Sequence, residues 1–137
     1  YGRNYYSRHD YEAVDSAAAA GLVDALRGKL AGLPGQTVAG LRIEGADEFA
    51  YDDPVDGSRT ERQGLRIMTE GGGRIVLRLS GTGTEGATLR VYLERVETDP
   101  ARMQDDAQAA LAQVIQAADE IAGIAARTGR AEPDVIT

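Results

Sequence analysis

The sequence predicts an α+β domain, with a largely antiparallel sheet of about five strands and two main helices packed on one face. Three observations carry this reading. Apolar residues recur at helical spacing only near the two ends of the chain. Between them lie short runs rich in β-branched and aromatic residues, separated by Gly, Pro and Asp clusters. These runs follow one another too closely for crossover helices, so neighbouring strands pair antiparallel and the helices cover the sheet.

The elements follow in order. Ser7, with Asp10 three residues on, has the spacing of a capping box, and Val14, Ala18, Leu22, Ala25, Leu26 and Leu30 continue at helical spacing. The sequence therefore predicts a first helix from Ser7 onward, ended by Gly32, Pro34 and Gly35. Strands are predicted at 37–43, 48–51, 65–69, 74–80 and 88–97, with Gly71, Gly72 and Gly73 as a hairpin tip. Asp105 is placed as the cap of a second helix, with Gln108 at its third position. Ala107, Leu111, Val114, Ile115, Ala118, Ile121, Ala122 and Ala125 form one apolar stripe, which reads as the face packed on the sheet. Gly129 follows the end of that helix, and Pro133 lies in the tail.

Composition narrows the function. The chain has 137 residues, enough for one domain with a real core, and is 42% hydrophobic and 27% charged. A net charge of −7 opposes general nucleic-acid binding, which needs a basic surface. There is no cysteine for a disulfide, a thiolate metal site or a thiol nucleophile, and one histidine does not make an ordinary zinc site. No apolar run approaches the roughly 20 residues that span a bilayer, so no membrane partner is expected. The first residues carry no secretory pattern. Y-G-R-N-Y-Y, without an initiating methionine, reads as the interior of a longer protein.

The chemistry concentrates in R-L-S-G-T-G-T-E-G-A-T-L-R, residues 78–90. Ile75, Leu77 and Leu79 alternate before the loop; Leu89, Val91 and Leu93 alternate after it. A hairpin centred on Thr84 sets Leu79 against Leu89, Leu77 against Val91 and Ile75 against Leu93. A slip of one residue would mismatch the faces, so the pattern selects this register or one shifted by an even step. On the other face this register opposes Arg74 to Glu94, Val76 to Tyr92 and Arg78 to Arg90. Two like charges directly opposed are destabilising unless something neutralises them. A bound anion would do so. Ser80, Thr82 and Thr84 offer hydroxyls, Gly81, Gly83 and Gly86 allow close approach of backbone N–H groups, and arginine presents a planar fork to phosphate oxygens. The loop reads as a holder for a small phosphorylated ligand. The competing reading is a glycine-rich turn flanked by two solvated arginines.

Other motifs fail on context. Residues 81–86 match G-x-G-x-x-G, but the dinucleotide fingerprint must open a helix, and 88–93 reads as a strand. The G-K-[ST] of a nucleotide P-loop is absent. Asp52, Asp53 and Asp56 lack calcium-loop spacing and read as a turn with Pro54 and Gly57. His9 is placed on the surface of the first helical turn.

These residues carry a family resemblance. R-L-S-G-T-G-T-E-G-A-T-L-R-V-Y-L-E resembles the phosphate-binding loop in the C-terminal domain of phosphoglucomutases, members of the α-D-phosphohexomutase superfamily. G-R-N-Y-Y-S-R-H-D-Y-E-A-V, D-P-V-D-G-S, Q-G-L-R and R-T-G-R-A-E-P-D-V-I-T extend the likeness across nearly all of residues 1–137. D-P-V-D-G-S and the V-I-T ending resemble the branch preferring glucose phosphates. The phosphomannomutase and phosphoglucosamine mutase branches carry a shorter R-x-S-G-T-E-P loop.

The resemblance implies a TATA-box-binding-protein-like fold and a fourth-domain role in a cytoplasmic four-domain enzyme. A phosphoserine in the first domain would exchange phosphoryl groups with glucose 1-phosphate or glucose 6-phosphate through glucose 1,6-bisphosphate. Mg²⁺ in the second domain would stabilise charge, and the third domain would read sugar hydroxyls. The fourth would hold the phosphate that is not transferred. Carried over by position, Arg78, Ser80, Gly81, Thr82, Gly83 and Arg90 are the implied phosphate contacts, with Thr84 in a secondary place and Glu85 turned to solvent. Arg3 and Asn4 fall where the family's hinge enters this domain. The nucleophile motif T-A-S-H-N-P, the metal loop D-G-D-G-D-R and the sugar loop G-E-E-S are not in this sequence. The implied partners are a phosphosugar and three upstream domains, and the chain alone is expected to lack mutase activity. A phosphomannomutase-type enzyme and a non-catalytic phosphosugar-binding relative are the alternatives.

Overall fold

A computed structural model of the chain describes residues 3–51, 62–83, 86–97, 111–130 and 132–137. The element order is β1 (Arg3–Val14), α1 (Ser16–Lys29), β2 (Thr37–Val38), β3 (Leu41–Tyr51), β4 (Arg62–Thr69), β5 (Gly73–Gly83), β6 (Gly86–Glu97), α2 (Ala112–Ala122), α3 (Ile124–Thr128) and β7 (Val135–Ile136). The strands form one antiparallel sheet in the order β2-β3-β4-β5-β6-β1-β7. The α+β class and the antiparallel pairing stand as the sequence predicts, and the count rises from about five strands to seven.

The largest correction is at the N-terminus. Residues 3–14 form a strand, and the first helix begins at Ser16 under Asp15, whose carboxylate accepts a hydrogen bond from the Ala18 N–H at 2.9 Å. Ser7 therefore caps nothing. β1 turns Tyr5, Ser7, His9 and Tyr11 inward, all buried. Two of those four are polar, so the apolar alternation that marks a strand is missing from the sequence. His9, expected at the surface, is 4% exposed.

The other changes are smaller. The predicted strands at 37–43 and 48–51 redistribute into the short β2 and the long β3. The turn at Glu70–Gly72 joins β4 to β5 where the glycine run predicts a hairpin tip. The second helix is broken: α2 ends at Gly123, which is left-handed with φ +65°, and the Asp119 carboxylate then accepts from the Ala125 N–H at 2.8 Å to start α3. Asp105, Ala107 and Gln108 lie outside the described residues.

One core fills the space between sheet and helices. Leu22 and Leu26 of α1 and Val114, Ala118 and Ile121 of α2 pack with Leu65, Ile67, Ile75, Leu77, Leu89, Val91 and Leu93. Full burial of an aliphatic side chain contributes about 1.5–3 kcal/mol, so this layer dominates stability. The opposite sheet face carries Val76 among mainly polar and aromatic side chains.

Candidate phosphate site on the outer sheet face

The β5–β6 hairpin has the register that the sequence predicts. Leu79 pairs with Leu89, Leu77 with Val91 and Ile75 with Leu93, while Arg78 pairs with Arg90, Val76 with Tyr92 and Arg74 with Glu94. Ser80 pairs with Thr88, and after a register shift Gly83 pairs with Gly86. Gly81, Thr82 and Gly83 extend β5 to its end. Thr84 and Glu85 fall outside the described residues, as do Asp52, Asp53 and Asp56. Arg3 and Asn4 open β1, opposite Glu97 and Val96.

The base of the loop is seated on β1. Gly86 has φ +95°, and a Cβ there would lie 2.8 Å from the Val14 carbonyl oxygen and 3.1 Å from the Ala13 carbonyl carbon. Only glycine combines that backbone with that approach. Ala13 itself has φ +52° and lies where β1 shifts register against β6, between Tyr11 and Val14.

The structure adds neighbours that the hairpin pattern does not contain. β1 runs beside β6 and puts Asp10 directly opposite Arg90. The Asp10 side chain is only 6% exposed; its Oδ2 is 3.1 Å from Arg8 Nη2 and its Oδ1 is 3.9 Å from Arg90 Nε. The Arg78–Arg90 opposition is therefore partly relieved by a carboxylate within the domain. Arg78 is treated differently: its guanidinium carbon lies 5.6 Å from the Tyr92 ring centroid and 5.9 Å from that of Phe49. Rings at this distance stabilise a cation without consuming its hydrogen-bond donors.

The rest of the face is internally paired. Arg66 donates to both oxygens of Asp47, at 2.9 and 2.6 Å, and these bonds hold the Asp47 carboxyl below the ordinary carboxylate range. Arg74 is 3.6 Å from Glu94. Tyr6, Phe49, Val76, Tyr92, Arg74 and Arg78 line a depression of about 230 Å³ on this face, which reaches Arg78 but not Arg90. Chemically, the loop end of the hairpin is a cationic corner with an aromatic floor, suited to an anion. Among the described residues no group of three His, Cys, Asp or Glu side chains is placed to hold a metal ion.

Arg78 and Arg90 face each other as the hairpin pattern predicts, but Asp10 beside Arg90, and Phe49 and Tyr92 beneath Arg78, are supports that the pattern does not reveal. Asp10 carries a signal in the sequence: Arg8, Asp10 and Glu12 alternate with Ser7, His9 and Tyr11, which is a strand pattern once aromatic and small polar residues count as inward-facing.

Known proteins align with this chain over its whole length. The family described as "Phosphoglucomutase-1, C-terminal domain" matches residues 3–134. A phosphoglucomutase of Rhizobium radiobacter is 63% identical over 137 residues, covering 100% of this chain and 25% of that protein. The phosphoglucomutase of Schizosaccharomyces pombe is 46% identical over 140 residues, again 100% of this chain and 25% of its own length. Among solved structures, the open form of the Paramecium exocytosis-sensitive phosphoprotein parafusin, a phosphoglucomutase, superposes with a TM-score of 0.77 at 46% identity, covering 98% of this chain and 23% of that one. The chain thus spans about a quarter of the length of these relatives.

Proposed function

Since the chain belongs to the family of phosphoglucomutase C-terminal domains, we propose that it is the substrate-phosphate-binding domain of an enzyme interconverting glucose 1-phosphate and glucose 6-phosphate. The observation that carries this reading is the β5–β6 register, which sets Arg78 against Arg90 at the mouth of the loop. A phosphate carries a charge of about −1.5 to −2 near neutral pH and accepts several charge-assisted hydrogen bonds. Two arginines on adjacent strands, one backed by Asp10 and one by aromatic rings, offer planar donor groups to such an ion. Ser80, Gly81, Thr82 and Gly83, with Thr84 in second place, supply hydroxyl and backbone donors along the loop.

In the whole enzyme this domain holds the phosphate that is not transferred. Binding energy from that remote group then serves to place the reacting phosphate, which is how positioning becomes rate acceleration. The same contact favours closure of the domain over bound substrate. The phosphoserine, the Mg²⁺ ion and the sugar-reading residues belong to the other three quarters of the protein, and glucose 1,6-bisphosphate is the intermediate. A cytoplasmic setting agrees with the relatives named as cytoplasmic phosphoglucomutases, while other relatives are named chloroplastic.

A mutase assay on the intact protein tests this. Wild type is expected to turn over glucose 1-phosphate. Arg90→Ala is expected to lower kcat/KM roughly 10- to 100-fold, the loss of one or two hydrogen bonds to a charged group. An intact protein that binds the phosphosugar but never turns it over would instead be a non-catalytic relative.

A further inference from the structure

We propose that Asp10 is a positioning residue for the phosphate site, holding the Arg90 guanidinium by its Nε edge so that the terminal nitrogens face a ligand. The inference rests on the phosphate-binding reading above and adds to it a residue outside the loop.

The geometry is specific. Asp10 and Arg90 are partners across the β1–β6 ladder, so their side chains leave the same face side by side. The Asp10 carboxylate is almost fully buried, and a buried carboxylate is costly unless charged neighbours compensate it. It has two such neighbours, Arg8 on its own strand at 3.1 Å and Arg90 on β6 at 3.9 Å. The Arg90 contact runs through Nε, and neither Arg90 Nε nor Asp10 Oδ1 makes a hydrogen bond among the described residues. The pair is in register but not closed, and the Arg90 terminal nitrogens also make no hydrogen bond among the described residues. A phosphate that engages those nitrogens would draw the guanidinium into line while Asp10 holds its other edge.

Asp10 is itself fixed in place. Its carbonyl oxygen accepts from the Asp134 N–H at 2.8 Å, and Val135 pairs with it across β7. Arg8 is tied on the same side by paired backbone bonds with Thr137, each 3.0 Å. The carboxylate is thus presented from a strand held on both edges. Arg8 and Arg90 flank Asp10, and Arg78 lies across the hairpin from Arg90; together these four side chains carry a cationic excess comparable to the charge of about −2 on a phosphate. Two effects compete here. The carboxylate repels a bound anion, but without it Arg8 and Arg90 become unneutralised neighbours and Arg90 loses its fixed edge. We assign the larger weight to orientation, because the carboxylate charge is already compensated by two guanidinium groups.

The test is a double-mutant cycle on the intact protein, reading kcat and KM for glucose 1-phosphate in wild type, Asp10→Asn, Arg90→Ala and the double variant. Asp10→Asn is expected to raise KM about tenfold, within the coupling range of residues that share one charge network. In the Arg90→Ala background the same change is expected to have no further effect. Asp10→Ala is expected to repeat this pattern and replaces the Asn variant if that protein does not fold, with thermal unfolding as the check. An unchanged or lowered KM in Asp10→Asn, or equal losses in both backgrounds, would overturn the proposal while leaving the phosphate site intact. A wild-type protein with no mutase activity, or one indifferent to Arg90→Ala, would instead remove the functional reading and this inference with it.

Discussion

The β5–β6 hairpin and β1 lie in one ladder, yet they are held by different forces. Across the hairpin every inward position from Ile75 to Leu79 and from Leu89 to Leu93 is aliphatic, and the strands pack directly on both helices. β1 shows that same core Ser7 and His9 between Tyr5 and Tyr11, and buries the Asp10 carboxylate on the outer face. Its anchoring comes from its edges. β6 pairs along one side, and on the other Ser7 Oγ donates to the Thr137 carbonyl at 3.0 Å while the Glu12 N–H donates to Asp134 Oδ2 at 2.7 Å. The hairpin is a scaffold that carries the arginines. β1 is a polar strand, supported by the C-terminal segment, that conditions one of them.

Mutations separate the two regions, and the largest effect belongs to the scaffold. Leu77→Ala removes a side chain that is 1% exposed in the core layer. A loss of about 3 kcal/mol is expected in denaturant unfolding, within the range for buried Leu→Ala changes. An equal loss from Ser7→Ala would erase the distinction between the strands.

Next is the joint between the two regions. Gly86→Ala places a Cβ against the Val14 carbonyl at a positive φ. The expected cost is about 2 kcal/mol, mostly backbone strain. Amide signals of Ala13 and Val14 should shift with those of the loop, and a shift confined to the loop would show that the two are not coupled.

Removing residues 134–137 strips β1 of its outer edge. The Arg8–Thr137 pair and the bond to the Asp10 carbonyl are lost. These are three hydrogen bonds on an exposed edge; at about 0.5 kcal/mol each, the low end of the usual range, a loss of about 1.5 kcal/mol is expected. Hydrogen exchange should speed up along β1 and stay slow in Leu77 and Leu89. Uniform acceleration would mean that β1 and the hairpin open as one unit.

The smallest effect is electrostatic. Hydrogen bonds from Arg66 lower the Asp47 pKa below its usual 3.8. The folded state therefore gains stability above that value and loses it as pH falls through the lower folded value. The pair is largely exposed, so the gain is about 0.5 kcal/mol or less. Asp47→Asn should remove only this acid-range difference from a pH-stability profile and leave the Arg78–Arg90 corner untouched.

The same contrast explains what the sequence reveals. The hairpin is legible because aliphatic residues alternating on both strands admit only this register or one shifted by an even step, and centring the turn on Thr84 places Arg78 opposite Arg90, as the structure does. The helical stripe from Leu22 to Leu30 is legible too, but not its start, since Ser7 and Asp10 imitate a cap that Asp15 supplies. β1 is illegible because its inward face mixes Tyr5 and Tyr11 with Ser7 and His9. A strand that carries polar groups on both faces gives no period to read. Asp10 lies on that strand, so the support for Arg90 stays hidden until β6 and β1 are seen side by side.

The central claim is that the Arg78–Arg90 end of the hairpin binds phosphate. An amide-resolved NMR titration of the 137-residue chain with inorganic phosphate and with glucose 6-phosphate, with Arg90→Ala as control, tests it most directly. Saturable shifts of similar size are expected for both ligands, centred on residues 78–90, reaching Asp10 across the ladder and lost in Arg90→Ala. A folded chain whose loop signals do not move, or move equally in Arg90→Ala, would contradict it.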